Sequence, residues 1–271
     1  MKKIISLALS LCLALGLGAT AIAIESNGVD IIINDAAITL DVLPQQSNNT
    51  TFVSYWPVVQ ALYPDAVNAR EGNTAVVTAP GLNLTIYADR PYLVANGRYL
   101  YLPQGVKTDG EALLVPVRIL GTVLGANVAW DPIANDVVLT AGTGPIASFE
   151  ETYNADDLYW LSHIINAESG NQPLVGKIAV GNVVLNRVAS STFPNTVYSV
   201  IYQRSQFTPV SNGTIKLEPN EESIIAAKLC LDGANTAGNS LYFLNPRTAP
   251  NSWAARHCTY VTTIGAHAFY R

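Results

Sequence analysis

Glu168 is the residue with the strongest claim to chemistry. Leu158, Leu161, Ile164 and Ile165 recur at helical spacing after Asp156 and Asp157, acids that suit the positive end of a helix dipole. Projected at about 100° per residue, Glu168 falls within the arc covered by those four apolar side chains. It also falls in the last turn before Gly170, where the dipole presents negative charge. Desolvation and the dipole both disfavour the anion, so both raise the carboxyl pKa, which suits a general acid near neutral pH. The plain alternative is a structural glutamate paired with a buried cation such as Arg187 on the next helix.

Other groups able to do chemistry are few. The chain has three His and three Cys, and His163, His257, His267 and Cys258 are the candidates for a zinc site. His257 and Cys258 are adjacent, so on a strand they face opposite sides, and no H-E-x-x-H spacing occurs. We therefore expect no metal and no cofactor. Cys230, late in a helix, and Cys258, before a hairpin, fit a disulfide worth roughly 3 to 4 kcal/mol in an exported chain or two buried thiols. The sequence leaves both open.

Positioning falls to a small set of elements. Gln172 to Ala189 is apolar nearly all round and reads as a buried helix, with Gly176 and Gly181 allowing close packing. Glu168 is then expected on a short loop between two packed helices, where a cleft commonly forms. Ser223 to Leu231 reads as a further helix, with Glu218 to Glu222 as its loop and first turn, and Tyr260 to Tyr270 reads as a hairpin.

The whole chain has 271 residues, 49% hydrophobic and 13% charged, with a net charge of −5. A mainly disordered chain is excluded, and no global positive field exists to hold nucleic acid. Lys2, Lys3, the apolar run Ile4 to Gly18 and Ala21-Ile22-Ala23 read as a secretory signal over residues 1–23. The run is short for a bilayer span, and Cys12 follows Leu11 where a lipoprotein anchor wants a small residue. No long uncharged apolar run follows Ala23, so a mature chain without a membrane span is expected.

The remainder divides into unlike halves. Residues 24–145 hold five basic and eleven acidic residues without His, Cys or Met, whereas residues 152–271 hold eight basic, seven acidic and all three His. Between them Ala141-Gly-Thr-Gly-Pro-Ile-Ala-Ser148 reads as a linker. The expected organisation is 24–142, a linker over 143–152, and 153–271. Within the first half a shift of 62 residues aligns Asn34 with Asn96, Val53 with Val115, Leu62 with Leu124 and the stretch 73–79 with 135–141, which predicts an internal duplication.

Asn96-Gly97-Arg98, Leu113-Leu-Val-Pro-Val-Arg-Ile-Leu-Gly121 and Gly125-Ala-Asn-Val-Ala-Trp-Asp131 resemble the copper-amine-oxidase-like N-terminal (stalk) domain of exported bacterial wall proteins. Copper itself is not expected, because His, Cys and Met are missing from this half. Tyr87, Tyr92, Tyr99 and Tyr101 are left between stacking on sugars and packing in the core.

Glu168-Ser169-Gly170, Gly176 to Val188, Gln206-Phe-Thr-Pro209, Leu241 to Pro246 and Ile264 to Tyr270 resemble the cell wall hydrolase family of the spore cortex-lytic enzyme (SleB type). One departure is Asn171, where relatives often carry a second acid; another is Asn251 to Cys258, which does not align closely. Together the resemblances imply an α+β chain. A duplicated small strand/helix module precedes a mainly helical lysozyme-like (lytic transglycosylase-like) catalytic domain with a short β-hairpin. They imply a secreted enzyme of the cell wall or spore envelope acting on peptidoglycan glycan strands, with Glu168 catalytic.

Ordinary glycosidases need two flanking carboxyl groups, and none of Asp156, Asp157, Glu218, Glu221, Glu222 or Asp232 is an obvious partner. A single-glutamate lytic transglycosylase, in which the sugar's own 6-hydroxyl attacks, removes that need. Gln206, Phe207, Tyr202 and Tyr242 are the candidates for the saccharide cleft, through amide bonding and ring stacking; core packing is the alternative for each. Asn186 and Arg187 read as structural. The competing readings are a zinc N-acetylmuramoyl-L-alanine amidase and a non-catalytic wall-binding protein.

Overall fold

A computed structural model describes residues 28–271; the expected export signal lies outside the described residues. The N-terminal part runs β1 (Ile31–Ile33), β2 (Ala36–Ala37), β3 (Gln45–Ser47), β4 (Thr50–Ser54), α1 (Tyr55–Leu62), β5 (Val67–Glu71), β6 (Thr74–Ala79) and β7 (Leu82–Tyr87). It continues with β8 (Tyr92–Ala95), β9 (Arg98–Tyr101), β10 (Lys107–Asp109), β11 (Ala112–Pro116), α2 (Val117–Leu124), β12 (Ala126–Asp131) and β13 (Asp136–Ala141). The predicted duplication is visible element by element. Under the same shift of 62 residues β3, β4, α1 and β6 fall on β10, β11, α2 and β13 with identical bounds. Val53 and Val115, equated by that shift, are direct antiparallel partners, so β4 and β11 meet across a local pseudo-twofold. The first described strand, β1, closes the arrangement by pairing in parallel with β13.

The C-terminal part runs α3 (Phe149–Thr152), α4 (Ala155–Ser169), α5 (Leu174–Ala189), α6 (Val197–Ile201), α7 (Thr208–Asn212), a 3-10 turn (Thr214–Lys216) and α8 (Glu221–Leu231). It ends with β14 (Tyr242–Leu244), α9 (Trp253–His257), β15 (Tyr260–Ile264) and β16 (His267–Tyr270), the three strands forming one small sheet. Asn154 starts α4 by accepting from the Asp156 N–H at 2.8 Å, and Asp156 and Asp157 occupy the first turn as expected. Helix α5 starts two residues later than the periodicity predicts, at Leu174, because Pro173 holds the N-cap and Gln172 is drawn into the preceding turn. At its centre Gly181 lies against Ile165 of α4 and Cys230 of α8, where any β-carbon would collide with both side chains.

The expected linker is not free. The Asn96 side chain donates to the carbonyls of Gly81 and Ile146, while the Ile146 and Phe149 N–H groups bond Val123 and Asn96. A β-carbon at Gly125, which ends α2 at φ 67°, would collide with the Gly144 carbonyl. Tyr92 belongs to the C-terminal core, and Tyr87, Val94, Tyr99 and Tyr101 pack against it. These tyrosines therefore cover α8 and its neighbours, and the two parts of the chain are docked.

Cys230 and Cys258 are both free thiols. Cys230 is buried, with its sulfur 3.3 Å from the Ile178 carbonyl, and burial pushes its pKa up. Both residues are expected to react with a thiol reagent once the protein is unfolded without reductant; loss of the two together would require a bridge.

Candidate active site

Helix α4 buries Leu161, Ile164 and Ile165 and brings Glu168 into its last turn. The expected loop position is corrected: the helix runs one residue past Glu168, because Ser169 Oγ donates to the Ile165 carbonyl at 2.7 Å and the Gly170 N–H to that of Asn166 at 2.9 Å. Glu168 is half-buried, and burial pushes its carboxyl up to about 7. Among the described residues no hydrogen bond or ion pair reaches that carboxyl. The alternative of a structural pair with Arg187 is therefore ruled out.

The turn after Glu168 is clamped from two sides. Gln172 Oε1 accepts the Ala266 N–H at 2.9 Å, tying it to the tip of the β15–β16 hairpin. Asn220 Nδ2 donates to the Gly170 carbonyl at 3.2 Å, and the Asn220 N–H bonds Asn166 Oδ1 at 3.1 Å. Asn166 lies about 200° round the helix from Glu168. The segment 218–222 thus meets α4 on the face away from the carboxyl.

The remaining acids are spoken for or remote. Asp232 pairs with Arg98 at 2.6 Å and Glu222 with Lys177. Asp156 and Asp157 occupy the opposite end of α4, about 17 Å away at 1.5 Å per residue. Asn171, in place of a second acid, accepts from Gln172 Nε2 at 3.1 Å.

Arg187 organises a second group. It is buried, donates from Nε to the Leu241 carbonyl at 2.7 Å and from Nη1 to Gln206 Oε1 at 3.2 Å, and sits 4.9, 5.2 and 5.4 Å from the ring centres of Phe193, Phe207 and Tyr242. Three of the four predicted cleft residues meet here. Gln206 is exposed; with its oxygen held by Arg187, its amide N–H groups are left to face outward. The residue before it, Ser205, adopts φ 62°, a left-handed conformation that serine rarely takes and that aims this loop. Phe207 is corrected: only 5% exposed, its ring supports Arg187 from below and offers no stacking face.

Tyr242 is half-buried and meets Trp253, an exposed ring in the segment that resisted alignment, at 5.5 Å. Tyr202 stands apart. It stacks on Tyr198 at 4.5 Å and meets Trp160 edge-on at 5.3 Å, with Tyr159 completing a partly exposed aromatic surface on the first half of α4. Trp253, Trp160 and Tyr198 escape sequence reasoning, because their immediate neighbours do not mark them as exposed.

Gly181 faces Ile165, and Arg187 lies six residues past Gly181 along α5, about 9 Å further from the α4–α5 turn that follows Glu168 than Gly181 is. Glu168 and Arg187 thus lie apart, one on each of two packed helices. The histidines go elsewhere: His163 packs on Tyr159 at 4.0 Å, His257 on Trp253, and His267 on Phe243 with burial lowering its pKa. Among the described residues no three His, Cys, Asp or Glu side chains are grouped to hold a metal.

Residues 171–270 match the Cell Wall Hydrolase family, and residues 18–139 match the copper amine oxidase N-terminal domain. Glu168 stands just before the first of these spans, so its assignment rests on the geometry above. The chain is similar to the spore cortex-lytic enzyme of Bacillus cereus, at 38% identity over 117 residues covering 43% of this chain and 45% of the relative. It is also similar to that of Oceanobacillus iheyensis, at 35% over 130 residues covering 48% and 46%. It thus spans less than half the length of those curated relatives. A solved catalytic domain of the germination-specific lytic transglycosylase SleB from Bacillus anthracis is 38% identical, covering 44% of this chain and 97% of that one, with a TM-score of 0.42.

Proposed function

We propose that this chain, which joins a copper amine oxidase N-terminal domain to a cell wall hydrolase domain, cleaves the glycan strand of peptidoglycan as a lytic transglycosylase. One observation carries the reading: Glu168 is a half-buried, unpartnered carboxyl with a pKa of about 7 and no second carboxylate beside it. A hydrolase of the two-carboxylate kind needs its second carboxylate either as the base that activates water or as the nucleophile. A single glutamate suffices when the sugar supplies its own nucleophile.

Glu168 first donates its proton to the glycosidic oxygen as the bond to the anomeric carbon breaks. The 6-hydroxyl of the same sugar then attacks that carbon, and the Glu168 carboxylate takes the hydroxyl proton. The product carries a 1,6-anhydro end, and the glutamate is restored in its acid form. Names of the curated relatives favour spore cortex as the substrate and the spore envelope as the location. No described helix is long and apolar enough to cross a membrane. Mass spectrometry of digested cortex and vegetative peptidoglycan tests the reading: anhydro ends are expected, and reducing ends would replace transglycosylation by hydrolysis.

Gln206, held by Arg187, has the place of a substrate-binding amide. Gln206→Ala is expected to raise KM about two- to tenfold, the worth of one or two hydrogen bonds, with kcat nearly unchanged and the melting temperature lowered, because the buried Arg187 loses an acceptor. Steady-state clearing rates over a range of substrate concentrations measure this. A fall in kcat alone would remove Gln206 from ground-state binding.

A further inference from the structure

A cavity of about 690 Å³ lies away from Glu168, with no residue of the C-terminal domain in its lining. It opens in the N-terminal domain where the β3–β4 hairpin, the start of α2 and the edge strand β12 meet, and its size is that of a small-ligand site. Its lining is chemically selective. Trp130 provides an aromatic face, Gln46 and Gln104 provide amides, and Arg118 is the one charged residue of the lining. In a half of the chain with eleven acids and five bases, no carboxylate lines this cavity.

Neither Arg118 nor Trp130 is explained by folding. The Arg118 guanidinium is exposed and has no hydrogen bond or ion pair among the described residues. Ala126 and Val128 pack on the N-terminal core; Trp130, on the same face by the period of two, reaches past the core edge and is 38% exposed. The duplication sharpens the point. Under the 62-residue shift Arg118 falls on Trp56 and Trp130 on Asn68, so the module closes its first copy with neither group. Gln104 is already engaged, its amide donating to Ser47 and Thr50 and so fixing the hairpin that forms the rim.

We propose that this cavity is a second wall-binding site, taking an N-acetylated saccharide that bears a carboxylate, a muramyl unit. The indole face stacks on the pyranose ring, the Gln46 amide bonds an acetamido group, and Arg118 pairs with the lactyl or stem-peptide carboxylate. This rests on the glycan substrate proposed above. The docked arrangement then anchors the enzyme on the wall while Glu168 works elsewhere.

The test uses the full chain carrying Glu168→Gln, sedimented with purified sacculi and, separately, with chitin, which has acetamido groups without carboxylates. Trp130→Ala is expected to reduce retention on both at least tenfold. Arg118→Ala is expected to reduce it on sacculi alone. In the cleaving enzyme the same two substitutions are expected to leave turnover of short soluble glycans within twofold. Unchanged retention in both variants overturns the site, and an equal loss of chitin and sacculi on Arg118→Ala overturns the carboxylate contact. If the chain binds through Trp130 yet cleaves no glycan, the wall site stands and the transglycosylase reading fails.

Discussion

Glu168→Gln is expected to lower peptidoglycan cleavage by about 10²- to 10⁴-fold, the range spanned by a positioned general acid–base group, while the protein stays folded. Glutamine keeps the shape and loses the proton. Wild-type kcat/KM should fall as pH rises through about 7, where the carboxyl of the free enzyme gives up the proton it must donate. The same substitution makes a second, opposite prediction for stability. The folded carboxyl has a pKa raised to about 7 from 4.5, so the folded state holds a proton that the unfolded state releases. Wild-type stability is therefore undiminished below pH 4.5, falls between 4.5 and 7, and stays lower above 7, by up to about 3 kcal/mol at 1.36 kcal/mol per pKa unit.

Removing the ionisable group removes that loss. In urea unfolding at pH 8 the variant should be the more stable protein, and at pH 4 the two should coincide. An inactive variant that is also less stable at pH 8 would point to a structural role for Glu168.

Arg98→Ala is expected to destabilise the docked chain by about 3–5 kcal/mol, the cost of leaving a buried charge without its partner. Asp232 caps α8 with a side chain only 1% exposed and receives the Arg98 guanidinium at 2.6 and 2.8 Å and the Tyr99 N–H at 3.0 Å. Arg98 Nε also donates to the Tyr153 hydroxyl at 3.1 Å, and Lys228 lies over the rings of Tyr99 and Phe149. One ion pair thus joins β9, the linker region and α8. Calorimetry should show one transition in the wild type and two in Arg98→Ala, as the N-terminal domain comes off the C-terminal one. Arg98→Ala with Asp232→Ala should recover much of the loss, since no charge is then stranded. A single transition at the wild-type temperature would mean that the tyrosine face alone holds the parts together.

How far the sequence could be read follows from the range of the interactions involved. The apolar arc of α4, the all-round apolar α5 and the hairpin at the C terminus depend on neighbours a few positions apart, and each is found within two residues of where the pattern places it; the 62-residue duplication is found with the same bounds in four pairs of elements. Arg187 shows the opposite case. Its periodicity marks it as buried but cannot choose its partner. The structure gives it Leu241, Gln206 and three rings, which leaves Glu168 unpaired. The tyrosines of the first half were equally ambiguous, because alternation along a strand says that a face is covered without saying by what.

By itself the sequence determined the elements, the duplication, the acidic bias of the first half and the one carboxyl on an apolar helix face, because helix and strand periods are local properties of the chain. Tertiary structure alone decided three things. Asp232 stabilises the domain contact through Arg98, 134 residues away. Glu168 keeps an unpartnered, half-buried carboxyl. Arg118 and Trp130, from two separate motifs, share one cavity. Each depends on groups brought together only by packing, and burial, which shifts a pKa or strands a charge, exists only once the core has closed.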